Sequence, residues 1–237
     1  MTSSSGIATE SRPPLCTMHE EPVRTVLRQL HRREQEHDFQ AFADLGIRSA
    51  RDFPLHLDAA DCAELLRDVM MAVPEQVGEA LYLLARAVRA RTVVEYGTSF
   101  GVSAIYLASA VRDNGGGTVI GTELQPDKAE TARANFAAAG MADLIDLRTG
   151  DARDTLNTLP DPVDLVFLDG WPDLAVSVLK LIEPSLHPGS MVVVNDAEMD
   201  YGTDVHHDLR QHLDDPANGY VAANLPFRDG FKVCLVS

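Results

Sequence analysis

Short apolar runs rich in β-branched residues alternate with helix-length segments through the C-terminal part of the chain. The runs are TVVEY (92–96), TVIGTE (118–123), LIDLR (144–148), VDLVFLD (163–169), SMVVVN (190–195), YVAANL (220–225) and FKVCLV (231–236). Apolar strands separated by helices are typical of a parallel sheet that is covered on both faces. The last two runs are joined only by PFRDG, which is too short for a helix, so we expect a hairpin with one antiparallel strand. The pattern therefore predicts an α/β fold with a mostly parallel sheet.

Helical periodicity fills the segments before and between these strands. Residues 22–45 have the pattern of a polar helix. Asp61 and Glu64 have the spacing of a capping box, which predicts a helix from Asp61 to about Met70, and an amphipathic helix follows Pro74. We predict three parts: a flexible Ser-, Thr- and Pro-rich tail (1–20), an N-terminal helical cap (21–90) and the main domain (91–237).

The composition argues against two classes of binding partner, nucleic acids and anionic membranes. The 237 residues include 36 Asp and Glu against 20 Lys and Arg, a formal net charge of -16. This charge repels phosphate backbones and anionic membrane surfaces, so we expect neither as a partner. The 3 cysteines lie far apart and form no C-x-x-C pair, which is typical of reduced thiols. With no signal-peptide pattern and no apolar segment near the ~20 residues of a membrane span, we expect a cytoplasmic protein.

A glycine-containing turn follows the first strand of the main domain. In VVEYGTSFGVSA (93–104), Gly97 and Gly101 allow a sharp turn and the close approach of a ligand to the backbone. The spacing G-x-x-x-G matches neither the dinucleotide pattern G-x-G-x-x-G nor the P-loop. The turn therefore predicts a ligand site but argues against a nicotinamide cofactor or a nucleoside triphosphate.

Acidic residues lie at or near the ends of four consecutive predicted strands: Glu95, Glu123, Asp151 and Asp169. Ligands of open α/β sheets bind outside the carboxyl ends of the strands, where an acid can accept both hydroxyls of a ribose. A row of carboxylates suits a ligand with hydroxyls, an amino group and positive charge, and suits a pyrophosphate poorly. S-adenosylmethionine has a ribose, an ammonium and a sulfonium but no phosphate, so the pattern favours this cofactor.

The sequence resembles a known family through a set of motifs. VVEYGTSFGVSA, GTELQPDKAETA (121–132), GDA (150–152), VFLDGW (166–171) and LPFRDGFKVCLV (225–236) resemble class I methyltransferases of the catechol and caffeoyl-CoA O-methyltransferase group. The resemblance covers about residues 70–237. It implies a Rossmann-like, seven-stranded, mostly parallel sheet with an antiparallel last strand, preceded by N-terminal helices, and it implies a homodimer.

The resemblance also implies the cofactor site. Glu95, Gly97 and Ser103 would hold the methionine end of the cofactor, and Glu123 would accept the ribose hydroxyls. Asp151 and Ala152 would border the adenine. The remaining cofactor-binding candidates are Met71, Thr98, Leu124, Asp169 and Trp171. Core packing is the competing interpretation for Met71 and Trp171.

Two catalytic positions depart from the family pattern. In its metal-dependent members a divalent cation such as Mg²⁺ holds the acceptor hydroxyls, bound by an Asp after the fourth strand and an Asp-Asn pair after the fifth. Asp169 and Asp196 match the two acids, but Ala197 stands where the Asn is expected. Pro172 stands three places after Asp169, where the family has a lysine base.

Three interpretations of this departure remain open. The chain is a metal-independent methyltransferase; or a metal is kept by Asp169 and Asp196 with Glu198, Asp200 or Asn195 as a substitute ligand; or the chain binds the cofactor without catalysing transfer. Strand alternation makes Asn195 the least favoured substitute. His206 is a candidate replacement base, because imidazole has a suitable pKa, although a surface helix that carries polar residues is the favoured explanation; Tyr201 is a slightly weaker candidate.

We therefore expect an S-adenosylmethionine-dependent O-methyltransferase that acts on a small hydroxylated molecule, with an aromatic molecule as the first choice. The candidate catalytic residues are Asp169, Asp196 and His206. A non-catalytic cofactor-binding or regulatory protein is the alternative from another functional class. A nicotinamide dehydrogenase is the least favoured alternative, because it requires the absent G-x-G-x-x-G turn.

Overall fold

A single twisted sheet forms the centre of the computed structural model, which describes residues 16–227 and 229–237; residues 1–15 of the predicted tail lie outside them. The strands are β1 (Thr92–Tyr96), β2 (Thr118–Glu123), β3 (Ile145–Thr149), β4 (Val163–Leu168), β5 (Leu186–Asn195), β6 (Tyr220–Leu225) and β7 (Phe231–Val236). They form a 7-stranded sheet in the order β3-β2-β1-β4-β5-β7-β6. β1 to β5 pair in parallel, whereas β7 is antiparallel to both β5 and β6. The predicted fold class is confirmed, including the terminal hairpin.

Helices cover both faces of this sheet. They are α1 (Glu21–Asp44), α2 (Ala59–Leu65), α3 (Glu75–Ala87), α4 (Val102–Asp113), α5 (Pro126–Ala138), α6 (Ala152–Thr155), α7 (Ala175–Ile182) and α8 (His207–Asp214). None of these described helices is both long and apolar enough to cross a membrane.

Each central strand contributes to two apolar cores, because successive side chains point to opposite faces. On one face Val93 and Phe167 pack with residues of α1, α3, α4 and α5. On the other face Val94 and Val166 pack with residues of α7 and α8. Burial on both faces explains why these strands are continuous apolar runs, and it leaves the carboxyl ends of the strands as the open edge.

The segment after α2 differs from its prediction. The capping residue of α2 is Asp58, whose carboxylate accepts the Asp61 N–H at 2.9 Å, so the prediction that the helix starts at Asp61 was wrong. The helix also ends at Leu65 rather than near Met70. The cause lies 32 positions away, in the buried Asp38 of α1. Its carboxylate accepts the backbone N–H groups of Met70 at 3.1 Å and Met71 at 2.8 Å.

This pair of hydrogen bonds attaches the N-terminal helices to the edge of the sheet. Met71 adopts a left-handed backbone conformation with φ of 49°, which a helix would not permit. The Met70 carbonyl in turn accepts the hydroxyl of Ser99, in the turn after β1, at 2.6 Å. Asp38 thus anchors one backbone segment that contacts both α1 and the glycine turn.

We predict that Asp38→Ala lowers the free energy of unfolding by about 2 kcal/mol, because two backbone N–H groups lose their acceptor. Asp38→Asn keeps one acceptor oxygen and should lose less. Urea denaturation monitored by circular dichroism measures both changes. The matched control is Glu36→Ala on the same helix, where the side chain is 57% exposed and pairs only with Arg32. Equal effects of Asp38→Ala and Glu36→Ala would show that Asp38 is not an anchor.

Candidate functional site

A cavity of about 760 Å³ opens at the carboxyl ends of the strands. Its lining includes the residues after β1, β2, β4 and β5, together with residues of the N-terminal helices and the loops that follow them. Ligand cavities in proteins usually measure 300–1,000 Å³, so there is room for a nucleoside-sized molecule and a small second molecule. Most of the sequence-predicted site residues line it: Met71, Gly97, Glu123, Leu124, Asp151, Ala152, Asp169, Trp171, Asp196 and His206.

The glycine turn brings the ends of β1 and β4 into close contact. Gly97 has φ of 92°, and a Cβ atom there would lie 2.6 Å from the Asp169 carbonyl oxygen and 2.7 Å from the backbone of Gly170. No other residue fits without moving one of the two strands. The backbone itself therefore forms this part of the cavity wall, as the sequence pattern predicted.

Three predicted cofactor-binding residues lie behind this wall instead of lining the cavity. Glu95, Thr98 and Ser103 are all buried, and Thr98 donates its hydroxyl to Oε2 of Glu95 at 2.6 Å. Oε1 of Glu95 has no hydrogen-bond partner among the described residues. Burial raises the pKa of Glu95 to about 7, partly opposed by hydrogen bonding from Ser103 and Thr98. A fully buried carboxyl with one unpartnered oxygen is unusual and marks this position as one that a ligand could complete.

Glu123, the last residue of β2, is held in one orientation by two backbone groups. Its Oε2 accepts the N–H of Ser99 at 2.7 Å, and its Oε1 accepts the N–H of Gln125 at 2.8 Å. Each carboxylate oxygen keeps a second lone pair for a further donor. The side chain is 9% exposed and lines the cavity, so it offers two acceptor sites at a fixed spacing, which matches a pair of neighbouring hydroxyls.

Asp151 follows β3 and begins α6. Its carboxylate accepts the backbone N–H of Arg153 at 2.8 Å and forms a bidentate pair with the Arg153 guanidinium, with contacts of 2.6 to 3.1 Å. The hydrogen bonds from Arg153 lower the pKa of Asp151 and keep this carboxyl ionised.

Asp169, Asn195 and Asp196 form an acidic group after β4 and β5. The Asn195 Nδ2 donates to Asp169 Oδ1 at 2.9 Å. Burial raises the pKa of Asp169 well above its ordinary value, and the charge of Asp196 raises it further. Asn195, which strand alternation made the least favoured substitute metal ligand, thus lies next to Asp169 but presents its amide nitrogen to it, and its ranking as a ligand stays a prediction. Asp196 has a φ of 52°, so the pleat does not continue beyond Asn195.

The two other substitute metal ligands make contacts elsewhere. Glu198 accepts the Asn224 amide at 3.0 Å, and Asp200 accepts the guanidinium of Arg51. Ala197 is buried and offers no ligand. In the part of the chain that the structure describes, no group of three or more His, Cys, Asp and Glu side chains is placed to hold a metal ion. The donor set is therefore two carboxylates and an amide that presents its nitrogen to Asp169, which fits Mg²⁺ poorly.

His206 immediately precedes α8 and lines the same cavity. His206 is 6% exposed. Burial lowers the pKa of His206 and the charge of Arg210 lowers it further, whereas the charge of Asp204 and the backbone of Asp196 partly oppose this, so the imidazole is neutral near pH 7. Its ring lies 6.1 Å from that of Tyr201. Burial raises the pKa of Tyr201, and nearby carboxylates add to the rise, so the phenol stays protonated.

An aromatic wall completes the cavity, and half of its residues lie in the N-terminal part of the chain, outside the resemblance. The wall consists of Phe42, Phe53, Trp171 and Tyr201. The ring centroids of Phe42 and Phe53, and those of Phe53 and Tyr201, are each 5.9 Å apart. The sequence signal that could have found it is the concentration of Phe residues between positions 39 and 53.

We predict that the free energy of unfolding falls by about 1 kcal/mol between pH 6 and pH 8 because of Glu95. Its pKa rises from 4.5 to about 7 on folding, so its stabilising contribution is complete below pH 4.5 and is lost as the pH rises through 7. Thermal denaturation at several pH values should show a drop that is smaller in Glu95→Gln. Glu130→Gln, at an exposed position of α5, should behave like the wild type. An identical pH profile in Glu95→Gln would contradict the assignment.

Known proteins match both the sequence and the structure. A family model described as a methyltransferase domain matches residues 94–197. A catechol O-methyltransferase of Mycobacterium tuberculosis is 41% identical over 140 residues, which is 59% of this chain and 61% of that protein. The chain thus spans about three fifths of the length of the curated relatives that it matches.

Solved structures extend the likeness over more of the chain. The cofactor-bound Rv0187 from MTB is 36% identical, with a TM-score of 0.64, over 75% of this chain and 86% of that one. The O-methyltransferase TomG from Streptomyces achromogenes, solved with S-adenosylmethionine (SAM), is 26% identical with a TM-score of 0.64, over 86% of this chain and 98% of that one. With the glycine turn, the row of strand-end acids and the antiparallel β7, these likenesses show that the chain belongs to the class I O-methyltransferase family.

Proposed function

We propose that the chain binds S-adenosylmethionine and transfers its methyl group to a hydroxyl of a small aromatic acceptor. The orientation of Glu123 carries the proposal, because a carboxylate fixed by two backbone N–H groups at a strand end presents two acceptors to the ribose hydroxyls. The relatives support it: TomG was solved with this cofactor, and the M. tuberculosis relative is named a catechol O-methyltransferase.

The residues present fit this cofactor. Asp169, which lines the cavity, is proposed to bind the ammonium of its methionine end. Glu95, held by Thr98 and Ser103 behind the glycine turn, is proposed to support that turn from within the protein. We propose that the ionised carboxylate of Asp151 accepts a hydrogen bond from the adenine amino group. The other proposed contacts come from Met71, Gly97, Leu124, Ala152 and Trp171, all of which line the cavity.

The chemistry needs a deprotonated acceptor oxygen aligned with the methyl group. When bound, S-adenosylmethionine supplies an electrophilic methyl carbon; the acceptor oxygen attacks it, the carbon–sulfur bond breaks with its electron pair returning to sulfur, and the hydroxyl proton passes to a base. We propose His206 as that base, because its imidazole is neutral and lines the cavity. Asp169 and Asp196 are proposed to orient the acceptor hydroxyl and to favour the charge of the imidazolium.

We propose that residues 21–90 act as a cap over the main domain. Its aromatic residues Phe42 and Phe53 line the cavity, and Asp38 attaches it to the glycine turn through Met70. Flat aromatic walls suit a flat acceptor, because ring–ring contacts stabilise beyond their buried area.

We predict that Glu123→Ala weakens the binding of S-adenosylhomocysteine at least tenfold, because two charge-assisted hydrogen bonds to the ribose are lost. Isothermal titration calorimetry measures the dissociation constant. Glu123→Gln should lose less, and Glu130→Ala, at an exposed position of α5, should bind as the wild type does. Unchanged affinity in Glu123→Ala, or no binding by the wild type, would refute the cofactor proposal.

We predict that methyl transfer proceeds without a divalent cation and depends on His206. In a transfer assay over phenols and catechols, EDTA should change kcat by less than about twofold, and His206→Ala should lower kcat by about a hundredfold, as for the loss of a general base. The dissociation constant of S-adenosylhomocysteine should stay unchanged in that variant. Activity that EDTA abolishes and Mg²⁺ restores would instead favour Asp169 and Asp196 as metal ligands.

A cofactor-binding protein without transferase activity is the second candidate, and the replacement of the family's Lys and Asn by Pro172 and Ala197 favours it. Binding of S-adenosylhomocysteine without turnover on any acceptor, with or without Mg²⁺, would identify this case. The nicotinamide dehydrogenase alternative loses its basis with the family assignment. The homodimer, the cytoplasmic location and the absence of a nucleic-acid partner stay predictions from the sequence.

A further inference from the structure

We infer that Arg48 recognises a carboxylate on the acceptor, so that the acceptor is a hydroxylated aromatic acid. This inference rests on the proposed methyl transfer and adds the class of acceptor. Arg48 follows α1 and lines the cavity in the same chain segment as Phe42 and Phe53 of the aromatic wall.

The charges around the cavity make this arginine distinctive. The acidic lining residues are Glu34, Glu123, Asp151, Asp169, Asp196 and Asp229, and the cationic ones are Arg48 and Lys128. Lys128 is buried with its Nζ 5.9 Å from the centroid of the Phe100 ring. Burial lowers the pKa of Lys128, and the charges of nearby carboxylates, among them Glu123 and Asp38, partly oppose this. Lys128 is therefore balanced by acids of the protein itself.

Arg48 differs in its contacts. Among the described residues its side chain makes no hydrogen bond and no ion pair; hydrogen bonds from the backbone of Arg48 and from Ser49 lower the pKa of Asp52, and the charge of Arg48 adds to this. Most other arginines of the described chain are paired; Arg51, three residues later, pairs with Asp200. An unpaired guanidinium at the wall of an acid-lined cavity is an available site for an anion.

The backbone holds Arg48 in place. The N–H groups of Arg48 and Ser49 both donate to Oδ2 of Asp52, at 3.0 and 2.9 Å, and Ser49 forms a capping box with Asp52. These bonds fix the position of the Arg48 backbone at the cavity wall, from which its exposed side chain extends.

The chemistry of the lining then selects the ligand class. Aromatic side chains suit a planar ring, and the planar fork of a guanidinium suits the two oxygens of a carboxylate. A chain with a net charge of -16 repels anions in general, so an acidic acceptor needs a local cation to enter the cavity. An amine acceptor would instead be favoured by the acids and opposed by Arg48, which makes the two classes separable by experiment.

The test compares three acceptors that share one catechol ring: 3,4-dihydroxybenzoate, 3,4-dihydroxybenzamide and dopamine. With wild-type protein the benzoate should have the highest kcat/KM. Arg48→Gln should lower kcat/KM for the benzoate about tenfold or more, mainly by raising KM. For the benzamide, kcat/KM of the variant should stay within about twofold of the wild-type value. Arg48→Lys should recover part of the loss, because lysine keeps the positive charge but lacks the planar guanidinium that binds both carboxylate oxygens.

Two controls isolate the effect. Arg91→Gln removes an exposed arginine directly before β1, at the opposite edge of the sheet from the cavity, and should change none of the three acceptors. The dissociation constant of S-adenosylhomocysteine should be the same in wild type and Arg48→Gln. Failure of that binding in the wild type would refute the proposed function, whereas intact binding with no preference for the benzoate would refute only the role of Arg48.

A binding measurement keeps the test decisive if turnover is slow. The chain has 1 tryptophan, Trp171, and it lines the cavity, so its fluorescence in the protein loaded with S-adenosylhomocysteine reports the entry of each acceptor. The expected order of affinity is benzoate, then benzamide, then dopamine, with the preference for benzoate lost in Arg48→Gln. Equal losses for benzoate and benzamide, or tightest binding of dopamine, would overturn the inference.

Discussion

The close approach of Gly97 to the backbone of Asp169 and Gly170 determines the geometry of the whole site. It brings β1 and β4 together at the edge where the order of the strands reverses, which is where open α/β sheets bind their ligands. Around this contact the chain places Glu95 behind the wall and Glu123 and Asp169 on either side of it. The positions of the acids are therefore consequences of one backbone contact that only glycine permits.

The second constraint is the attachment of the N-terminal helices. Asp38 binds the backbone of Met70 and Met71, the Met70 carbonyl accepts the Ser99 hydroxyl, and the Ser99 N–H donates to Glu123. This path uses backbone groups at nearly every step, so it does not require particular side chains at positions 70 and 71. The cavity is thus enclosed by two parts of the chain that are distant in sequence and joined by a few buried hydrogen bonds.

The sequence predicted what depends on local pattern and could not predict what depends on distant contacts. Strands buried on both faces are recognisable as apolar runs, so β1 to β7 were located within a few residues at their ends. The helix that was expected to reach Met70 ends at Leu65. The carboxylate of Asp38, which is distant in the chain, accepts the backbone N–H groups of Met70 and Met71. The hydrogen bond between Asn195 and Asp169 could not be predicted from strand alternation, because the pleat stops where Asp196 takes a positive φ.

The same difference between local pattern and distant contacts decides which parts of the candidate site the sequence could predict. Acids at strand ends are predictable because parallel strands bring their carboxyl ends to one edge. The positions of Phe42, Phe53 and Arg48 at the cavity were not, because Phe42 and Phe53 pack in one cluster with Leu66, Val69 and Trp171, which lie elsewhere in the chain. The burial of His206 is likewise a tertiary effect, and the sequence showed only a histidine near the right loop.

The origin of the aromatic wall has a consequence for how such a protein diversifies. Phe42, Phe53 and Arg48 belong to one short stretch that contributes no strand to the sheet, whereas Glu123, Asp151 and Asp169 belong to the sheet edge. Substitutions in the stretch can change the shape and charge offered to an acceptor while the opposite half of the cavity stays intact, since distant sites affect stability nearly independently. The residues that select the acceptor can therefore be substituted separately, and a new acceptor specificity can arise while the residues that hold the nucleoside stay unchanged.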